Sequence, residues 1–87
     1  MEEEPEAALV EYRRALLLDM QLVMPHYALS RVLRRLGRVR DAIRELRNTL
    51  RLVERLPAGG ELAYGGGWTP GALAEQCRLE LARLGEE

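Results

Sequence analysis

Ala8, Tyr12, Ala15 and Leu16 have counterparts 34 positions later in Ala42, Leu46, Thr49 and Leu50. A self-similarity of about 34 residues is the signature of architectures that stack one pair of antiparallel helices on the next. The spacing has a packing cause. A small residue at Ala8 and at Ala42 lets two helix backbones approach, and the bulky residue one turn further on fills the space beside them. The echo constrains the fold without asking any chemistry of its residues, so it points to a binding module.

The 87 residues suffice for one domain with a modest core and fall short of a complete cofactor enzyme. No catalytic residue and no bound cofactor are expected of this chain. Phenylalanine is absent and leucine recurs at spacings of three and four, which predicts an all-α fold. The single cysteine, Cys77, excludes an internal disulfide and a cysteine pair for zinc, and fits a reducing cytoplasm. The acidic start, with apolar runs broken at Asp19 and Pro25, predicts neither a signal peptide nor a membrane span.

Helical periodicity divides the chain into four segments. The first helix is expected over residues 5–20, with Pro5 in its first turn and a stripe of Leu9, Tyr12, Leu16 and Met20. Residues 22–24 connect it to a second helix that restarts at Pro25, carries Leu29, Val32, Leu33 and Leu36, and stops at Gly37. A third stripe of Val39, Ala42, Ile43, Leu46, Leu50 and Val53 runs on to Pro57, and the short turn at Gly37 makes helices two and three an antiparallel hairpin. Residues 57–68 contain five glycines and read as a long loop. Thr69 then reads as an N-cap with Pro70 at the first helical position, and Leu73, Cys77, Leu81 and Leu84 line one face of a fourth helix that ends at Gly85. Trp68 and Leu73 stand at the spacing of a hydrophobic staple.

Over about residues 23–56 the chain resembles a tetratricopeptide repeat. His26, Leu29, Ser30 and Leu33 fall on the aromatic, Leu, Gly and Tyr places of that family's first helix. Gly37, Val39, Ala42, Leu46 and Thr49 fall on the Gly, aromatic, Ala, aromatic and Ala places that follow. Thr49 and Glu54 depart from the usual Ala and Pro, and Pro57 comes three residues late. Residues 1–22 match the second helix of a preceding repeat through Ala8, Tyr12 and Ala15, and residues 69–87 read as a capping helix over the exposed face of helix three. The resemblance implies one complete helical hairpin between an extra N-terminal repeat helix and a C-terminal cap.

A narrower resemblance covers nearly the whole chain. The order E-Y-R-R-A-L, H-Y-A-L-S-R-V-L-R-R-L-G-R, R-E-L-R-N-T-L-R-L-V-E-R-L-P, a glycine-rich loop and W-T-P-G-A-L is similar to the C-terminal repeat region of CheR-type chemotaxis receptor methyltransferases. That family methylates receptor glutamates with S-adenosylmethionine. Nothing in this chain supplies a methyl-donor pocket, so the resemblance implies a regulatory or docking domain that guides which glutamates are methylated. Its partner would be a chemoreceptor or the catalytic domain itself; with no enzyme attached, the same parts describe a stand-alone repeat scaffold that binds an acidic peptide.

Charge is segregated. Between Arg31 and Arg55 nine arginines face three carboxylates, while Glu2, Glu3, Glu4, Glu6 and Glu11 crowd the start and Glu86 and Glu87 the end. Tyr27, Arg31, Arg34, Arg35 and Arg38 recur at i, i+4, i+7, i+8 and i+11, opposite Leu29 and Leu33. Such a face suits an acidic protein segment, since the guanidinium fork clasps a carboxylate and Tyr27 adds apolar contact. The same pattern also describes a solvated face that merely keeps a helix in water, and both readings stand at this level. Nucleic acid is not expected, because the acidic ends and an isoelectric point near 5.9 lack its electrostatic footprint.

His26 has no second ligand at metal spacing and reads as a packed imidazole, and Cys77 reads as a small buried hydrophobe. G-G-G-W-T-P-G lacks the lysine and preceding strand of a phosphate loop. Helix one has a second apolar side, Val10, Leu17 and Leu18 with Ala7, that a lone repeat cannot bury. At roughly 1.5 to 3 kcal/mol per buried aliphatic side chain, that side is expected to meet a neighbouring repeat of a longer parent or a second copy of this chain.

Overall fold

A computed structural model describes residues 5–19, 21–63 and 65–85. It contains four helices, α1 (Pro5–Leu18), α2 (Val23–Arg35), α3 (Val39–Val53) and α4 (Pro70–Arg83), and no strand among the described residues. The helices pack in sequence, α1 on α2, α2 on α3 and α3 on α4. The fold is an all-α domain measuring 33 × 30 × 24 Å.

The helix ends follow local chemistry, with three departures from the expected bounds. α1 stops at Leu18, where Asp19 takes over: its carboxylate accepts from the Gln21 amide at 2.9 Å and its carbonyl from Leu22 at 3.3 Å. Met20, expected at the end of the first stripe, lies outside the described residues. α2 begins at Val23 rather than Pro25. Pro25 falls inside the first turn, where the missing N–H is one of four that no helix satisfies internally.

At the other end of α2, Gly37 adopts a φ of 78°, the left-handed conformation that favours glycine. The Arg38 amide reaches back to the Leu33 carbonyl at 2.8 Å and the Gly37 amide to Arg34 at 3.0 Å, which closes the helix with paired C-terminal bonds. The chain reverses at once into α3. α3 ends at Val53, four residues short of Pro57, and turns carry the chain onward.

The glycine loop is tied to the helix that follows it. The Gly71 amide donates to the Ala58 carbonyl at 2.9 Å, and a Cβ at Gly71 would lie 3.1 Å from that oxygen. Thr69 caps α4 as expected, its Oγ1 accepting from the Ala72 amide at 3.2 Å. Trp68 packs against the core cluster that contains Leu73.

Two apolar clusters form the core. Ala8, Leu9, Leu29, Val32, Leu33 and Ala42 join α1, α2 and α3, with Tyr12 and Leu16 packed against them. Val23, Tyr27, Leu46, Val53, Leu73, Ala74, Cys77 and Leu81 join α2, α3 and α4. The 34-residue echo is therefore a burial pattern: Ala8 and Ala42 are both enclosed, and Thr49, in the place of Ala15, is fully buried with its hydroxyl donating to the Glu45 carbonyl at 2.8 Å. Val10, Leu17 and Leu18 remain 55%, 85% and 87% exposed, so the second apolar side of α1 has no cover within the described residues.

Candidate functional site

Where α2 and α4 pass the same side of α3, their facing side chains build a polar cleft of about 420 Å³. Its lining is Arg31, Arg34 and Arg35 from α2 with Gln76, Glu80 and Arg83 from α4. Helical spacing places these groups: Arg31 and Arg34 follow Tyr27 at i+4 and i+7, and Glu80 and Arg83 follow Gln76 at i+4 and i+7.

At the base of the cleft lies the carboxylate of Glu80, only 2% exposed. It accepts three hydrogen bonds, from the Tyr27 hydroxyl at 2.7 Å, Gln76 Nε2 at 2.8 Å and Arg34 Nη1 at 3.1 Å. Burial pushes the Glu80 carboxyl up, but the hydrogen bonds from Gln76 and Tyr27 and the charges of Arg34 and Arg31 outweigh it and hold the group below its ordinary value. Glu80 is thus an ionised, satisfied anion inside the protein. The Tyr27 phenol moves the opposite way, raised by burial and by its bond to Glu80.

The same network fixes two arginines. Arg34 is tied to Glu80 while its side chain stays 38% exposed, so part of its donor fork faces the cleft. Arg31 lies over the Tyr27 ring, 5.8 Å from its centroid, and its Nη1 approaches the Tyr27 hydroxyl at 3.3 Å. Trp68 closes on the Tyr27 ring edge-on at 6.0 Å. Arg35 and Arg83 are exposed and have no ion pair among the described residues.

Of the five partner-binding residues expected from sequence, Arg31, Arg34 and Arg35 converge on the cleft. Tyr27 does not lie on its surface. It is 3% exposed and serves as a core residue under the arginines, because α4 covers it. Arg38 stands apart beside the Gly37 turn, where Nη2 and Nε hold Asp41 Oδ2 at 2.9 and 3.2 Å. Gln76, Glu80 and Arg83 are not among the residues expected from sequence, because helical periodicity marks α4 only as a cover for α3. The available signal was that Glu80 sits three residues beyond Cys77 and seven beyond Leu73, on the apolar stripe itself.

The remaining candidates have structural roles. His26 is buried, its Nδ1 2.7 Å from Glu45 Oε1 across α2 and α3. Burial raises the Glu45 carboxyl, yet bonding to His26 and Asn48 wins and lowers it. Cys77 is fully enclosed, and burial together with the Glu80 charge pushes its thiol up to about 12, so the reactive thiolate does not form near neutral pH. Among the described residues no three His, Cys, Asp or Glu side chains are grouped to hold a metal ion, and no helix is long and apolar enough to cross a membrane.

Comparison with known protein families, with curated proteins and with solved structures finds no match to this chain.

Proposed function

We propose that this chain is a protein-interaction domain of the tetratricopeptide type, that it holds an acidic protein segment in the α2–α4 cleft, and that it serves a chemotaxis-type receptor methyltransferase as a docking or regulatory region in the cytoplasm. The observation that carries the binding reading is the convergence of Arg31, Arg34, Arg35 and Arg83 on one cleft around a single, already satisfied carboxylate. Fixed donors lose less freedom on binding than swinging ones, so Arg31 and Arg34, held from beneath by Tyr27 and Glu80, make a better clasp than the same charges on an open face. The methyltransferase reading rests on the order of parts: a repeat hairpin, a glycine-rich loop and W-T-P-G-A-L opening a final helix. In that setting the domain contributes no reacting group. It positions or restricts the receptor segment that reaches a catalytic site elsewhere, where S-adenosylmethionine would bind.

Fluorescence anisotropy with a labelled Glu-rich peptide tests the first part. The unmodified protein binds, and Arg31→Ala with Arg35→Ala weakens binding about tenfold or more, the scale of one or two lost charge-assisted bonds. Equal binding by the double variant contradicts the assignment. For the second part, the same double variant carried in the methyltransferase changes which receptor glutamates are methylated; an unaltered pattern rules that role out.

A further inference from the structure

The chemistry of the cleft narrows the acid it takes. Four arginines stand against one carboxylate, and Glu80 already spends both of its oxygens on donors from the protein. Occupation by a single carboxylate leaves most of that positive charge uncompensated. The lining residues are Arg, Gln and Glu, with no aliphatic or aromatic residue among them, so the cleft suits a compact ionic head group better than an apolar side chain. A volume of about 420 Å³ is ample for such a group.

Resting on the acidic-segment reading, we infer that the cleft between α2 and α4 is a binding site for a phosphorylated side chain on a partner protein, a phosphomonoester dianion gripped by Arg31, Arg35 and Arg83 with the outer edge of Arg34. A phosphomonoester carries about −1.5 to −2 charge near neutral pH and presents three acceptor oxygens to donors from several directions. A carboxylate is planar, and one guanidinium fork satisfies it. Convergence from two helices therefore matches the tetrahedral dianion better than the planar monoanion. Phosphodiesters of nucleic acid carry one charge per group and present it along a backbone that a cleft this compact does not track. Glu80 is a positioning residue in this arrangement: it fixes Arg34 directly, and through Tyr27 it steadies the surface on which Arg31 lies.

The test compares three labelled peptides of one sequence that carry phosphoserine, serine or glutamate at the central position, titrated by fluorescence anisotropy at about 0.15 M salt, where weak surface attraction is screened. The phosphoserine peptide is expected to bind about tenfold or more tightly than the glutamate peptide. Arg35→Ala with Arg83→Ala removes that preference. Both side chains are exposed and hold no ion pair among the described residues, so the fold is retained, as circular dichroism will verify. Arg40→Ala and Arg44→Ala on the outer face of α3 leave the preference intact. Equal affinity for the phosphoserine and glutamate peptides overturns this inference and leaves the acidic-segment reading standing. Absence of binding to all three overturns both. A preference that survives loss of Arg35 and Arg83 overturns the location. Competition by inorganic phosphate as effective as that of unlabelled phosphoserine peptide overturns the protein-borne ligand in favour of a free oxyanion.

Discussion

Glu80 shows how one side chain can serve packing and charge together. A carboxylate taken out of water is costly unless donors replace its hydration, and three do so here, two of them neutral and one cationic. The folded state holds Glu80 and Glu45 below the ordinary carboxyl value of 4.5, so each contributes stability that is present above that value. The contribution is lost as pH falls through the lower, folded value. Urea unfolding is therefore expected to show a midpoint that drops as the solution is acidified below 4.5, and Glu80→Gln flattens part of that slope. A midpoint independent of pH over this range contradicts the account of the network. The sequence hints at this burial only through the place of Glu80 on the apolar stripe of α4. A glutamate on a helix reads as surface, and the phenol that keeps it buried lies 53 residues away.

Among the elements, turn and cap chemistry was the most legible part of the chain. Gly37 and Thr69 do what their residue types predict, because both act on backbone groups within three or four positions. At Gly37 the space beside the backbone is open, so an alanine meets no neighbour and its cost is the left-handed conformation alone. Gly37→Ala is expected to lower stability by about 1 kcal/mol in denaturant unfolding, and a neutral substitution contradicts the turn geometry. The start of α2 was less legible. Proline marks a helix beginning without saying which of the first positions it fills, and Val23 is drawn into the helix by its burial against the α4 side of the core. α4 packs on α3, as its apolar stripe predicts. Its second role, supplying half of the cleft, depends on how far it rotates about its axis, which periodicity alone does not fix.

At the scale of the molecule, the sequential packing of four helices leaves two unlike surfaces. One is the cleft, and the other is the uncovered side of α1, where Leu17 and Leu18 are almost wholly exposed. An apolar face of this kind is expected to associate, so Leu17→Gln with Leu18→Gln should reduce any dimer detected by light scattering at micromolar concentration. A mass unchanged by the substitutions contradicts a role for that face in self-association. The two surfaces share no residue: the cleft is lined by charged and polar side chains of α2 and α4, and the apolar one by Val10, Leu17 and Leu18 of α1.

In the proposed function, acid recognition resides in the α2–α4 cleft rather than on the arginine-rich surface as a whole. Side-chain NMR of the arginine Nε–Hε groups during titration with an acidic or phosphorylated peptide tests it most directly. Saturable shifts are expected at Arg31, Arg34, Arg35 and Arg83, with Arg40, Arg44 and Arg51 on α3 unmoved. Shifts centred on the α3 arginines, or spread evenly over both sets, would contradict it.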